Sequence, residues 1–394
     1  MSAAALLSAA LLSGCRDGRS DDKVYHIYSE GTYIDGEGFD PAQPAESGDD
    51  NVLYIPEGMK TDSVSRTVLT DSELKLYDSI VNDIGAFSER APLTVDTSVY
   101  QRVAELVRLE QLAYNQVSNL GWDYDIETQS FEVLYTYRFT VDEISRMNRA
   151  AENAAMEIME GMTPGMDDYE KLKYFHDYLV LNCEPSTDDP YADTIYGALV
   201  KGKALCEGYT KAFSYLCNLA GIENVIVTGA TDVPHMWNMV KLGGNWYHVD
   251  VTWDDASDKL HEDYPDIILY QYFMITDSVI RNNHTIWDFP AEPPKANGKN
   301  ENYFVREGVD IGSEEEFFIA SENAITAAAA ERKSGAMVKF ETSDLYISVT
   351  SNLENESFEP IISRIRSLYG INIRLSWTDY YGQYRILTYI IEYS

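Results

Sequence analysis

Two adjacent glycines, Gly243-Gly244, separate two runs of alternating residues, HMWNMVKL and NWYHVDVTW. A Gly-Gly pair between such runs is typical of a tight β-hairpin, because both turn residues need positive φ. A turn at this position pairs Trp237 with Asp250 and His235 with Thr252. His235 and Asp250 then become diagonal neighbours on one face of the ribbon, within reach of each other. A slip of one residue would put them on opposite faces, so this hairpin constrains the fold strongly.

The stretch GKALCEGYTKAF places Cys206 at the start of a predicted helix that ends at Gly221. Apolar residues follow at helical spacing: Tyr209, Phe213, Leu216, Cys217 and Ala220. The positive end of the helix dipole favours a thiolate and lowers the pKa of a thiol there. We therefore predict Cys206 as a nucleophile, with the His235–Asp250 pair as its base. Cys183 and Cys217 are predicted to be buried, inert thiols.

His248 lies one pleat from Asp250, so a metal site of His235, His248 and Asp250 is a rival interpretation. No HxxxH or CxxC spacing accompanies these residues, and a nucleophile-like cysteine does. We therefore expect no metal and no other cofactor, and a hydrogen-bonded structural role for His248. His176 is likewise expected to find a local partner. His284 is expected to brace its loop.

The chain begins with an apolar run, MSAAALLSAALLSGC, which is too short to span a membrane and is typical of a secretion signal. Its end resembles the lipobox of bacterial lipoproteins, which predicts lipidation of Cys15, although no Lys or Arg precedes the run. We therefore predict export and lipid anchoring on the outer face of a bacterial membrane. The formal charge of −35 argues against nucleic acid as a partner.

Changes in composition and three capping boxes, at Thr70, Thr140 and Asp167, divide the chain into five predicted regions. The regions are a signal peptide (1–15), an acidic flexible tether (16–68), a mainly helical region with a small sheet element (69–165), a catalytic core (166–290) and a C-terminal α+β module (301–394). The last region contains no His or Cys. Chemistry is therefore not expected in it.

The motifs around Cys206, His235 and Asp250 together resemble the transglutaminase-like superfamily. Their order is Cys, His, Asp, with intervals of 29 (235 − 206) and 15 (250 − 235) residues. The resemblance runs from about Tyr169 to His284, and residues 70–160 resemble the leader of such domains in bacterial secreted proteins. It implies an α+β class with a papain-like core, in which the helix carrying the cysteine packs on an antiparallel sheet carrying the histidine and the aspartate.

The resemblance implies that Cys206 attacks a carbonyl, His235 shuttles the proton and Asp250 holds the imidazole. Hydrolysis and acyl transfer to an amine both follow from the resulting thioester. The expected partner is a protein or peptide substrate, which includes cell-wall peptide. The backbone N–H of Cys206 and Tyr196 are candidate oxyanion donors, and Trp237 and Trp253 are candidate walls of the site. The alternative is an idle surface scaffold that retains the fold.

Overall fold

The structure is a computed structural model that describes residues 53–61, 63–113, 117–125, 130–255, 263–264, 266–378 and 382–394. The described chain forms two compact units: residues 53–252 with 276–297, and residues 253–275 with 298–394. The sequence analysis placed 253–275 in the catalytic core. Ile267 and Leu269 instead belong to the same hydrophobic cluster as the C-terminal residues, so apolar burial assigns this stretch to the second unit.

The first half of the first unit is mainly helical, and all three capping boxes are present at their helix starts. It also holds an antiparallel sheet of three strands, larger than the single element that the sequence predicted. Its elements are α1 (Ser65–Val68), α2 (Asp71–Gly85), β1 (Arg90–Leu93), α3 (Thr97–Glu110), β2 (Val117–Asp125), β3 (Ser130–Tyr137), α4 (Val141–Glu160) and α5 (Asp168–Asn182).

Residues 53–61 belong to the first unit. The boundary between tether and folded domain, predicted at residue 68, is therefore placed too late in the chain. Met59 is fully buried. The backbone N–H of Tyr54 donates to Ser145 Oγ at 3.0 Å, and Asn218 donates to the Gly58 carbonyl at 2.7 Å. These contacts fix the backbone before the predicted start of the domain. Residues 16–52 of the predicted tether, and the predicted signal peptide, lie outside the described residues.

The second half of the first unit carries the helix and hairpin that the motifs predicted. Its elements are β4 (Glu184–Pro185), α6 (Ile195–Leu199), β5 (Lys203–Ala204), α7 (Cys206–Leu219), β6 (Asn224–Ala230), β7 (Pro234–Leu242), β8 (Asn245–Val249), α8 (Val251–Asp254, which runs into the second unit), α9 (Asp277–Ile280) and β10 (Thr285–Ile286). Four of the strands follow one another in the sheet as β10-β6-β7-β8, with antiparallel neighbours.

The hairpin turn lies at Gly243-Gly244 as predicted, with φ of 58° and 81°. The pairs run from Leu242↔Asn245 to Asn238↔Val249, which is the predicted register. The prediction was wrong beyond this point, since β8 ends at Val249 and the chain turns into α8. Thr252 therefore lies in a helical turn and not on a strand opposite His235.

The second unit is an α+β module built on the strands β11-β12-β14-β13. Its elements are β9 (Phe273–Ile275), α10 (Tyr303–Arg306), β11 (Asp310–Ile311), α11 (Glu314–Ala330), β12 (Gly335–Phe340), α12 (Ser343–Thr350), α13 (Glu359–Tyr369), β13 (Ile373–Thr378) and β14 (Ile386–Tyr393), with short 3-10 turns at Asn355–Phe358 and Gly382–Tyr384. The side chain of Ser313 caps α11 by accepting the N–H of Glu316, and that of Thr342 caps α12 by accepting the N–H of Leu345.

Candidate active site

His235 and Asp250 meet in the interior of the first unit. Nε2 of His235 lies 2.7 Å from Oδ2 of Asp250, and the two residues are 5% and 0% exposed. The contact that the hairpin register predicted is therefore present. Because Nε2 faces the carboxylate, this hydrogen bond favours the tautomer that carries its proton on Nε2. The nitrogen left to exchange a proton with a nucleophile is Nδ1.

His284 provides a second imidazole for Asp250, which the sequence analysis did not foresee. Its Nε2 lies 3.0 Å from the same Oδ2 atom. Burial disfavours the charged carboxylate, but the charges and hydrogen bonds of His235 and His284 outweigh burial and hold the pKa of Asp250 well below its ordinary value. Asp250 is therefore an ionised carboxylate at neutral pH.

His248 hydrogen-bonds to Trp237 and Asp277 rather than to Asp250. The rival metal site of His235, His248 and Asp250 was therefore wrong in including His248. Its Nδ1 accepts the indole N–H of Trp237 at 2.9 Å, and its Nε2 lies 2.9 Å from Oδ1 of Asp277. An accepting Nδ1 together with a donating Nε2 describes a neutral imidazole. Burial, followed by the charges of His284 and Arg281, lowers the pKa of His248 against the opposing effect of Asp277.

The histidines and carboxylate that do cluster are His235, Asp250 and His284, whose ligand atoms lie within 4.8 Å of one another. Two imidazoles and a carboxylate could hold a divalent transition metal. The nitrogen–oxygen distances of 2.7 and 3.0 Å are hydrogen-bond lengths. A metal would require both Nε2 atoms to be deprotonated. Without a metal, the same distances fit two N–H donors on one carboxylate oxygen.

Helix α7 lies against β7 and brings Cys206 beside the strand that carries His235. Cys206 is 3% exposed and shares a hydrophobic cluster with Met236. One turn later, the Thr210 hydroxyl donates to the Met236 carbonyl at 3.0 Å, and Asn238 donates to the Thr210 carbonyl at 3.1 Å. The helix start is thus fixed to the residue next to His235. The contact between the sulfur and the imidazole stays a prediction.

The nucleophile considered below is Cys206 in its reduced form. Cys183 and Cys217 are buried thiols that form no disulfide, as predicted. Burial raises the pKa of Cys217 well above its ordinary value, which makes it a poor nucleophile.

An ion-pair network that the sequence analysis missed lies directly beside Cys206. Glu207 pairs with Arg108 of α3 at 2.5 Å and with Lys211 at 2.9 Å, and Arg108 also pairs with Glu105 at 2.7 Å. Burial raises the pKa of Glu207, but the charges of Lys211 and Arg108 outweigh it, and the net pKa is lowered. The network ties the start of α7 to the helical leader.

The chain ahead of Cys206 approaches α7 closely. The N–H of Leu205 donates to the Ala192 carbonyl at 2.7 Å. A Cβ on Gly208 would lie 2.2 Å from that same oxygen, so only glycine fits there. Tyr196 lies in α6, where it is 2% exposed and its ring meets Tyr191 edge-on at 5.3 Å. Its role as an oxyanion donor stays a prediction.

The remaining predicted residues occupy different surroundings. Trp237 is 1% exposed, and its ring stacks on His235 with centroids 5.8 Å apart, while its role as a wall of the site stays a prediction. Trp253 is assigned to the second unit, where its ring contacts Tyr272 at 5.3 Å. His176 has the expected local partner, with Nδ1 3.0 Å from Oδ1 of Asp177.

Residues 156–251 match the family model described as the transglutaminase-like superfamily. The chain contains a transglutaminase-like domain. The match covers α7 and the hairpin, and with them Cys206, His235 and Asp250. The α+β class with a papain-like core agrees with the observed helix and antiparallel strands.

Curated relatives of this domain are the kyphoscoliosis peptidases of Mus musculus and Homo sapiens. Each is 34% identical over 64 residues, which make up 13% of this chain and 10% of the relative. The chain thus spans a tenth of the length of the curated relatives it matches.

Solved structures similar to the chain include a TGase and a candidate cysteine protease from Cytophaga hutchinsonii. The TGase has a TM-score of 0.26 at 14% identity and covers 43% of this chain and 52% of its own. The second has a TM-score of 0.24 at 12% identity, with coverage of 43% and 65%.

Two predictions about the membrane depend on the start of the chain. Cys15, the predicted lipidation site, lies outside the described residues. Among the helices that the structure does describe, none has the length and hydrophobicity needed to cross a bilayer.

Proposed function

We propose that the transglutaminase-like domain is a thiol enzyme that acts on amide bonds of proteins or peptides. Reduced Cys206 is the nucleophile, His235 carries the proton and Asp250 orients the imidazole. The observation that carries the proposal is the buried 2.7 Å contact between His235 and Asp250, beside the helix that begins at Cys206. A carboxylate on one imidazole nitrogen directs the other nitrogen to the nucleophile.

In the proposed reaction the Cys206 thiolate adds to the carbon of an amide, and the carbonyl oxygen takes up the negative charge. The backbone N–H of Cys206, at the first position of α7, is one donor to this oxygen, and Tyr196 is proposed as the second. The proton on Nδ1 of His235 moves to the leaving nitrogen, the C–N bond breaks and a thioester remains on Cys206. Water or a second amine then attacks the thioester and gives its proton to His235, the C–S bond breaks and the Cys206 thiolate is restored.

The peptidase name of the curated relatives supports an action on peptide bonds, and the family description supports acyl transfer equally. We further propose that the protein is exported and anchored through a lipid on Cys15 at the outer face of a bacterial membrane. The substrate would then be a protein or peptide outside the cell, including cell-wall peptide. The net charge of −35 favours cationic over anionic substrates.

Alkylation by iodoacetamide at neutral pH tests the nucleophile after the protein has been reduced. We expect Cys206 to react faster than a free thiol, and Cys217, which is buried, to react far more slowly. Cys217→Ala is the matched control, because it removes a thiol from the same helix. A Cys206 that reacts no faster than a free thiol would favour the idle scaffold.

Turnover tests the reaction itself. Reduced protein is incubated with a library of glutamine-containing peptides, with and without a primary amine, and the products are weighed by mass spectrometry. Cleaved peptides indicate hydrolysis, and peptides that gain the mass of the amine indicate transfer. The proposal fails if the wild type and Cys206→Ala give the same products.

A further inference from the structure

We propose that His284 is a positioning residue that keeps Asp250 ionised and directed at His235 throughout the reaction. The inference rests on the proposed function, because it concerns how the same site keeps its geometry when His235 transfers its proton. His235 lies on β7 and Asp250 lies between β8 and α8, whereas His284 follows α9 along the chain.

His235 and His284 share one acceptor atom on Asp250. Nε2 of His235 and Nε2 of His284 lie 2.7 and 3.0 Å from one oxygen of Asp250. His284 is 3% exposed and Asp250 is fully buried. A buried carboxylate is stable only when donors or opposite charges compensate for its lost hydration. Two imidazole N–H groups provide that compensation here.

The second step concerns the change of charge during catalysis. In the resting pair of thiolate and imidazolium, His235 offers Asp250 a charged donor. When His235 protonates the leaving nitrogen it becomes neutral, and Asp250 loses that positive charge. His284 does not take part in the transfer and keeps its N–H on Asp250 at that moment. The carboxylate therefore stays compensated, and the His235 ring keeps its orientation.

The third step is the rigidity of His284. Its backbone N–H donates to the Ile280 carbonyl at 3.0 Å, and its Nδ1 lies 2.7 Å from Oδ1 of Asn283. The next residues form β10, in which Ile286 pairs with Gly229 of β6. Gly229 in turn pairs with His235 on β7. The backbone ladder therefore connects the segments that carry both imidazoles.

Other ionisable groups near this cluster form a separate pair and do not replace His284. His248 donates to Asp277, which also accepts the N–H of Ala296 at 3.1 Å. Arg281 lies close enough to His248 and Asp277 to affect the pKa of both. His248 and Asp277 thus form a pair of their own beside Arg281, whereas His235 and His284 both contact Asp250.

The experiment compares His284→Leu, which removes the donor, with His284→Gln, whose side-chain amide can still donate to Asp250. The full chain is used after reduction, with the glutamine-containing peptide that is turned over fastest. We expect His284→Leu to lower kcat about tenfold or more with little change in KM, since a hydrogen bond to a charged group is lost. His284→Gln is expected to recover most of kcat. His176→Leu is the matched control, because it removes a buried histidine from α5 and should leave kcat unchanged.

A second substrate separates positioning from a loss of fold. The acylation burst with p-nitrophenyl acetate releases a leaving group that needs no proton. We expect His284→Leu to slow this burst less than it slows turnover of the peptide. Equal losses on both substrates, or no rescue by His284→Gln, would overturn the proposal.

The hydrogen bond itself is read by NMR of the reduced protein labelled with 15N-histidine. We expect two low-field imidazole N–H signals, one of which is lost in His284→Gln while the other, from His235, shifts. This readout does not require turnover. If the wild type proves inactive, the proposed function fails, while an unshifted His235 signal in His284→Gln is what would refute the role of His284.

Discussion

The surroundings of Asp250 and the interior of residues 301–394 are both buried, but they are built from opposite kinds of side chain. Around Asp250, three imidazoles and two carboxylates hydrogen-bond to one another or to Trp237. In the described part of residues 301–394, the buried polar residues are Ser321 and Thr388, which carry no charge. Aromatic and aliphatic groups fill the rest of that core.

This difference shows which part of the molecule contains buried groups that lower its stability. Buried ionisable groups are expensive, and replacing them with apolar residues is often neutral or stabilising. A core like that of the C-terminal residues is therefore sufficient for stability. The cluster of His235, Asp250 and His284 is better explained by chemistry, since perturbed ionisable groups gather at functional sites.

The largest expected effect is that of Asp250→Asn on turnover. A carboxamide can present an N–H to an imidazole that already carries a proton on Nε2, which favours the wrong tautomer of His235. We expect kcat for the peptide substrate to fall about 10³–10⁴-fold. Ser321→Ala, a buried polar change in the apolar core, is the control and should leave kcat unchanged. A fall of less than tenfold for Asp250→Asn would contradict the view that the buried cluster around Asp250 is explained by chemistry.

The second prediction concerns a substitution in the apolar core of residues 301–394, which should affect stability and not the site. Phe317 is 1% exposed and stacks on Phe340 with centroids 5.8 Å apart. Phe317→Ala should lower the free energy of unfolding by about 3–5 kcal/mol, measured in urea. The alkylation rate of Cys206 in the reduced, folded protein should not change.

The neighbouring Phe318 supplies the matched control, since it is 48% exposed. Phe318→Ala should cost less than about 1 kcal/mol. Equal losses for the two phenylalanines would mean that burial does not govern this core.

Local signals in the sequence were sufficient for the helix starts and for the hairpin. Thr70, Thr140 and Asp167 each cap a helix with the glutamate three residues later, because a capping box is closed within one turn. The turn at Gly243-Gly244 fixed the register, and the register brought His235 to Asp250. The transglutaminase-like resemblance was confirmed by the family match.

Contacts between distant segments could not be predicted in the same way. His284 reaches Asp250 only because β10 pairs with β6, and a strand of two residues leaves almost no periodic signal. The pairing of Glu207 with Arg108 depends on how α3 packs, since 99 residues separate the two. The one available hint was the presence of four histidines within the stretch 235–284.

The third prediction concerns the close approach in front of Cys206. In Gly208→Ala the new Cβ would lie 2.2 Å from the Ala192 carbonyl, and the backbone must shift to relieve the overlap. We expect a loss of about 1–3 kcal/mol in the free energy of unfolding and slower alkylation of Cys206.

Gly312→Ala in the second unit is the matched control for Gly208→Ala. A Cβ at position 312 would lie 3.3 Å from the flexible ends of the Glu316 and Glu341 side chains, so stability should change little. An unchanged alkylation rate in Gly208→Ala would show that the start of α7 tolerates displacement.

The smallest expected effect is a dependence of stability on pH that originates in His248. Burial is the main cause that lowers the pKa of His248 below its ordinary value of 6.5, so the unfolded chain binds a proton at a higher pH than the native protein does. The free energy of unfolding should therefore be highest above pH 6.5 and fall as the pH is lowered towards 5. Each unit of difference in pKa corresponds to about 1.4 kcal/mol.

His248→Gln removes this titration while keeping an oxygen that can accept the indole N–H of Trp237. The slope of stability against pH, measured by urea unfolding between pH 7 and 5, should decrease in this variant. Ser321→Ala, in the region without histidine, should shift the curve but keep the wild-type slope, because it changes packing and not proton binding. A steeper slope in His248→Gln would mean that His248 is charged in the native protein, which would contradict the lowered pKa on which this prediction rests.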